Sequence, residues 1–390
     1  MRVLHALDIC LPVSQNWIYP QIKEVAGVQP GVLCGQRRNL DLFPLDSIPV
    51  FQDPPPRAAR FSPRRLISSL LFRIGRPPFL LPVGFSPRKW NPDLIHAHFG
   101  TKGWGMLSIR ERLHIPLVTS FYGTDAWQLP QSNPKWRERY KWLFSEGACF
   151  LVEGPAMRNR LIDLGCTGDK IKVVRLGINL ATAPFEERDF MPPLRILMIA
   201  RFVEKKGFVD GLEACALARQ SGVDLKVRIV GDAGAEDPVG QEIRIRLAEL
   251  AGRPDLHGCV SFEGFMPPHR VATIMKECNV FLCPSKHSKD GDAEGGSPVV
   301  LTQAMAAGLL CVGTRHCDIP EVIIDGKTGY LCESGDIDGI ASRLAQVARE
   351  PLQARALTRR GRKHVETWFS TEREVSELKR IYACMVASAQ

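Results

Sequence analysis

Short apolar runs alternate with helix-patterned stretches along both halves of this chain, and that alternation constrains the fold more than any other feature. The runs are Asp93–His96, Pro116–Phe121 and Cys149–Val152, then Leu194–Ala200, Lys226–Val230, Val280–Cys283 and Leu310–Val312. A strand that is apolar on both sides needs cover on both faces, so the pattern predicts parallel, helix-covered sheets. At 390 residues the chain suits two such domains, each with its own core. Pro184 and Met191-Pro192-Pro193 interrupt the middle and place a linker at 180–193. The expected division is a first domain at 1–185, a second at 186–369, and a terminal helix at 370–390.

One stretch combines an anion-binding shape with a sugar-binding group. In Ala293-Glu294-Gly295-Gly296-Ser297-Pro298-Val299-Val300-Leu301-Thr302-Gln303-Ala304-Met305, an acidic residue enters a glycine turn and an apolar helix follows at once. Backbone N–H groups and the positive end of a helix dipole then converge, which suits a phosphate. Glu294 beside that anion is a hydrogen-bond acceptor fit for sugar hydroxyls. About ninety residues earlier, Leu194–Ala200 ends in Arg201-Phe202-Val203-Glu204-Lys205-Lys206-Gly207. Cations just past a parallel strand stand where open α/β sheets bind ligands. The flat fork of Arg201 and the point charge of Lys206 are suited to clamp a diphosphate.

These segments, in this order, resemble the family 4 retaining glycosyltransferases of GT-B fold. The resemblance extends to Ile171-Lys172-Val173-Val174-Arg175-Leu176-Gly177-Ile178-Asn179, Val230-Gly231-Asp232-Ala233-Gly234, Leu282-Cys283-Pro284-Ser285 and Ile319-Pro320-Glu321-Val322 through Gly329. Ile95-His96-Ala97-His98-Phe99-Gly100 and Thr119-Ser120-Phe121-Tyr122-Gly123-Thr124-Asp125 are most similar to the branch that builds bacterial exopolysaccharide, capsule and O-antigen repeats. The resemblance implies two Rossmann-like, doubly wound domains facing a central cleft. It implies catalytic roles for Arg201, Lys206, Glu294 and His98, and donor binding by Gly231, Ser285, Gly295, Gly296, Ser297, Pro298 and Gln303. Ser14, Gln15, Tyr122 and Asp125 fall on the acceptor side. Trp368-Phe369-Ser370 and the spacing of Val375, Leu378, Ile381 and Tyr382 match the family's last helix, which returns to the first domain.

The chain departs from the family pattern in three places. The family's glycine-turn acid is followed after seven residues by a second Glu that holds ribose hydroxyls. Here Gln303 takes that place with eight residues between, which turns a charge-assisted bond into an ordinary one. Tyr122 stands where many members carry His, and the loop Asp8 to Gln15 lacks the usual glycine pair.

Charge is unevenly spread. Residues 1–185 hold 24 Lys/Arg and 13 Asp/Glu, a net of +11, and residues 186–390 hold 27 and 29, a net of −2. Residues 57–89 carry eight basic side chains and no acidic one. Leu66, Ile67, Leu70, Leu71 and Ile74 recur there at helical spacing with Arg64, Arg65 and Arg73 nearby, a pattern suited to an anionic membrane surface. A docked helix with water-facing arginines fits the same residues. No nucleic-acid recognition motif accompanies the basic face. The twelve cysteines show no CxxC pair and no zinc spacing, as expected of small buried hydrophobes in a reducing compartment. No apolar run reaches about eighteen residues and no signal-peptide core opens the chain, so a cytoplasmic protein, peripheral at most on the membrane's inner face, is expected.

Asp290-Gly291-Asp292 has a metal-binding form, but Lys286 and Lys289 flank it, and it reads as a solvated loop. His96 and His98 are expected on opposite faces of their strand, with His98 toward the substrate. The expected activity is sugar transfer from a nucleoside diphosphate donor to a saccharide or polyprenyl-linked saccharide, with no cofactor and no metal. Two other readings use the same clamp. A nucleotide-sugar epimerase needs acid/base carboxylates beyond Glu294, and a non-catalytic membrane-associated subunit of a polysaccharide assembly would bind donor without turnover.

Overall fold

The structure is a computed structural model that describes residues 1–12, 15–52, 70, 75, 77 and 90–389. Ser14 and nearly all of the basic segment 57–89 lie outside the described residues. The chain forms two compact units, Met1–Leu176 with Thr371–Gln390, and Gly177–Ser370. The division falls before the expected 185/186 boundary. Ile178 donates its N–H to Phe369 at 2.9 Å, and Ile178 and Ala183 are buried in the core of the second unit.

In the first unit, β1 (Arg2–Cys10), β2 (Gln29–Arg37), β3 (Val50–Gln52), β4 (Leu94–His98), β5 (Leu117–Ser120), β6 (Cys149–Val152) and β7 (Ile171–Val173) form one sheet. The order is β3-β2-β1-β4-β5-β6-β7, and every pairing is parallel. Strand order therefore reverses between β1 and β4, the switch point at which doubly wound sheets open a crevice. The helix Gly100–Leu113 follows β4 directly, and a Cβ on Gly100 would stand 2.2 Å from the Phe121 ring, so only glycine lets that helix start so close to β5. The helix Thr371–Ala387 covers the sheet with Leu378, Ile381 and Tyr382 against Val3, Leu94, Val118 and Cys149.

The second unit repeats the plan. Strands β8 (Leu194–Ile199), β9 (Leu225–Val230), β10 (Val260–Gly264), β11 (Val280–Cys283), β12 (Leu310–Thr314) and β13 (Gly329–Cys332) are parallel in the order β10-β9-β8-β11-β12-β13. Its switch point lies between β8 and β11.

Strands β2, β3, β10 and β13 fall outside the apolar runs named above. Pro30, Gly31 and Gly35 interrupt β2, and Trp90 packs against Gly31, where a Cβ would meet its ring at 2.6 Å. Strand β10 is an edge strand with partly exposed side chains, so burial does not demand continuous apolarity there. Among the described residues no helix is long and apolar enough to cross a membrane.

Candidate functional site

Two glycines bring the charged residues of the second unit together. After β8 the chain makes a short 3-10 turn at Glu204–Lys206, then Gly207 adopts φ +65° and starts the helix Phe208–Gln220. A Cβ on Gly207 would lie 1.9 Å from the Pro284 carbonyl oxygen, so any other residue would push this turn away from the end of β11. Gly231, at φ +134°, stands as close to the Ala200 carbonyl, with 1.8 Å left for a Cβ. Its place past β9 is set by this close approach, and its N–H donates to the Gly264 carbonyl at 2.9 Å.

Lys206 reaches from that turn to Glu294, and its Nζ donates to both carboxylate oxygens at 2.7 and 2.9 Å. Ser285 Oγ donates to Glu294 Oε1 at 2.9 Å, and the Glu294 N–H donates to His316 Nε2 at 3.2 Å. Glu294 is only 6% exposed. Burial alone would push its carboxyl up, yet the charges of Lys206 and Lys205 and the bonds from Lys206 and Ser285 bring it below the usual value. His316 is held down at about 4 by burial, against the opposing pull of Glu294. It is therefore neutral, with Nε2 bare to accept and the proton on Nδ1.

Gly295 and Gly296 are buried, Ser297 and Pro298 are half-buried, and the loop they form runs straight into the helix Val299–Ala306. Gln303 is half-buried on that helix beside a buried Thr302, and Arg201 stands exposed just past β8. Lys206, Ser285 and Pro298 line one small cavity. Arg201, Lys206, Gly231, Ser285 and the 294–298 loop thus gather at the carboxyl ends of β8, β9 and β11.

The Asp-x-Asp loop differs from its expected form. Asp292 is not a solvated carboxylate, because the buried Lys205 donates to it at 2.8 Å and to the Ala293 carbonyl at 2.8 Å. Lys286 turns away to Asp210 at 2.8 Å. Asp290 is exposed and accepts from Ser288 Oγ and, at 3.1 Å, from the Asp292 N–H. Lys205 was invisible in the sequence because nothing but the turn geometry separates it from Lys206.

The first unit gathers neutral groups at its own switch point. His96 and His98 lie on one face of β4, contrary to expectation, because residues two apart on a strand return to the same side. Their ring centroids are 4.2 Å apart, and His5, paired with His96 across β1 and β4, joins them. All three rings are fully buried, so His98 faces other side chains rather than open solvent. His5 Nδ1 is 3.1 Å from His98 Nε2, and His98 Nδ1 is 2.8 Å from Tyr122 Oη. His96 sits between Tyr382 Oη at 2.6 Å and Ser120 Oγ at 2.7 Å. Burial pushes His5 down to about 3 and holds His96 and His98 well below the ordinary histidine value.

Asp125 is also buried, and its carboxylate accepts the backbone N–H groups of Gly100, Tyr122 and Gly123 at 2.8, 3.1 and 3.0 Å. Burial pushes it up to about 6 despite those bonds. It braces the turn that presents Tyr122. Gln15 is half-buried in a turn closed on the Pro12 carbonyl at 2.8 Å.

Profiles of known families match both units. "Glycosyltransferase Family 4" matches residues 26–182 and "Glycosyl transferases group 1" matches residues 182–364. The amylovoran biosynthesis glycosyltransferase AmsK of Erwinia amylovora is 32% identical over 77% of this chain and 74% of its own length. The putative colanic acid biosynthesis glycosyltransferase WcaL of Escherichia coli K12 is 33% identical over 73% of this chain and 70% of its own. In fold, the chain is similar to Anabaena Alr3699/HepE, solved with UDP and glucose, at a TM-score of 0.75 and 15% identity over 98% of this chain and all of that one. Two doubly wound units, paired family matches and relatives about one-third identical over some three quarters of their length agree: the chain belongs to the family 4, group 1 glycosyltransferases and is a glycosyltransferase of GT-B fold.

Proposed function

We propose that this enzyme moves a sugar from a nucleoside diphosphate donor to a saccharide hydroxyl, with retention at the anomeric carbon, during assembly of a cell-surface polysaccharide. The observation that carries the reading is the Lys206–Glu294 pair at the switch point of the second sheet, bonded at 2.7 Å beside a glycine loop that opens a helix. The names of AmsK and WcaL support the polysaccharide setting, and the UDP and glucose bound to HepE support the donor class.

On donor arrival Lys206 exchanges Glu294 for the diphosphate. The carboxylate it leaves then accepts a hydroxyl of the donor sugar. Arg201, Lys206 and the N–H groups of Gly295, Gly296 and Ser297 stabilise charge on the departing diphosphate, an electrostatic effect laid down before reaction. The bond from the anomeric carbon to the phosphate oxygen breaks, and the bond to the acceptor oxygen forms on the same face. The acceptor proton goes to the departing phosphate oxygen. Because cations and N–H groups already meet the diphosphate charge, turnover should persist in a metal chelator. Gly231 and Gln303 hold the nucleotide side.

The acceptor is a polyprenyl-linked saccharide, and the basic segment 57–89 brings the enzyme to an anionic bilayer on the cytoplasmic side. Arg64, Arg65 and Arg73 together contribute about 3 kcal/mol to that attraction at low salt. Vesicle co-sedimentation checks this, and equal binding to anionic and neutral vesicles would refute it. The activity is tested by thermal shift against a panel of nucleotide-sugars, followed by NMR of the anomeric configuration in the product. No shift with any nucleotide-sugar, or an inverted product, would overturn the reading.

A further inference from the structure

The neutral cluster of the first unit has a direction, and its direction selects a ligand. Gln21 Nε2 donates to Glu374 Oε1 at 2.8 Å, so the amide oxygen of Gln21 faces away from Glu374. That oxygen accepts from Tyr122 Oη at 3.3 Å, which commits the tyrosine proton inward. Tyr122 Oη must then accept from His98 Nδ1–H at 2.8 Å, leaving His98 Nε2 bare. His98 Nε2 in turn accepts from His5 Nδ1–H at 3.1 Å, and His5 Nε2 ends the chain as a bare buried acceptor with no hydrogen-bond partner among the described residues. A buried acceptor without a partner is more readily tolerated than an orphaned N–H, so the terminus agrees with this direction and not with its reverse.

We propose that Glu374 and Gln21 are positioning residues that, with His98 and His5, lock the Tyr122 hydroxyl in one polarity, so that Tyr122 offers the substrate a lone pair and never a proton. Its ligand is accordingly a hydrogen-bond donor, a sugar hydroxyl, and not a phosphate or carboxylate. Tyr122 is half-buried and lines a small pocket with Gln21, Ser120, Glu153, Val174 and Leu378. Glu374 lies near the start of the last helix of the chain, so that helix sets a hydrogen-bond direction as well as covering the sheet. The inference rests on the acceptor-side reading of Tyr122 given above.

Histidine-selective 15N NMR of the full chain reads the tautomers directly. His5 and His98 should both be neutral with the proton on Nδ1, and a proton on His98 Nε2 would overturn the chain. Titration with glucose, galactose and mannose should then shift the His98 signal, with binding at least tenfold weaker in Tyr122→Phe and partly recovered in Glu374→Asp relative to Glu374→Gln. Equal sugar binding by Tyr122→Phe, or no binding of any of the three sugars by the unsubstituted protein, would overturn the ligand assignment. The tautomers of the unsubstituted protein need no variant, so the chain stays falsifiable if a variant does not fold. Sugar binding with correct tautomers but no transfer from any nucleotide-sugar would sink the glycosyl-transfer reading and leave this one standing.

Discussion

The two sheets share one winding plan, yet their switch points are furnished in opposite ways. At the end of β8 and β11, Lys205, Lys206, Asp292 and Glu294 are charged, mostly buried and paired at 2.7–2.8 Å. Between β1 and β4, three histidines, Tyr382 and Ser120 are buried beside a half-buried Tyr122, and none of these groups carries a charge. Cations held ready by buried carboxylates can be transferred to an arriving anion. Neutral groups linked in series can only choose which way a hydrogen bond points. Under the proposed function the charged cluster meets a diphosphate and the neutral cluster meets hydroxyls, on two sheets of one winding plan.

The most severe test of the charged cluster removes the cation that holds Asp292. Lys205→Met should cost about 3–5 kcal/mol of stability, because it strands a largely buried carboxylate. Denaturant unfolding checks it, and a loss below 1 kcal/mol would show the cluster to be far wetter than its burial implies.

Lys206→Ala and Arg201→Ala should each cost about 2–4 kcal/mol of transition-state stabilisation, comparable to losing an oxyanion donor. Steady-state kcat/KM with the donor found by the panel decides this. Near-normal turnover in both variants would dissolve the contrast between the two switch points.

Acid separates the clusters differently. His5 and His316 sit at about 3 and about 4 in the fold, below the ordinary value of 6.5 that the unfolded chain recovers. The unfolded state therefore binds protons first, and stability is complete above pH 6.5 and lost as pH falls toward 4. His316 alone accounts for about 3 kcal/mol over that window. His96 and His98, also lowered, add to the loss on the side of the first unit. The Glu294 contribution disappears only below its own lowered value, because its shift has the opposite charge sense. Unfolding free energies at pH 7.5, 6 and 5 test this, and a flat profile between 7.5 and 5 would contradict neutral burial of the histidines.

The smallest expected effect is at the nucleotide. Gln303→Glu should tighten nucleoside diphosphate binding by about 1 kcal/mol if this side chain meets the ribose. Calorimetry showing no gain would mean that the extra residue in the 294–303 interval has carried this position off the sugar.

Read from one dimension, the chain already declared many of its strands, the basic residues past β8 and its glycine loop. Apolar runs such as Leu194–Ala200 must be buried, and a strand apolar on both faces needs helices over both whatever the partners. Glu294, Ser285 and Lys206 could be named beforehand because motif spacing is local. Their mutual bonding was not local, since it spans 88 positions between Lys206 and Glu294. Lys205 and Lys206 are adjacent identical residues, and only the turn at Gly207 sends one to Asp292 and the other to Glu294. The histidine cluster depended on more distant pairing still. His5 meets His98 across 93 positions and Gln21 meets Glu374 across 353. No periodicity encodes such a meeting, because it follows from strand register and from where the last helix packs. Local pattern thus determined which residues could do chemistry, and tertiary packing decided which of them touch and which way their protons point.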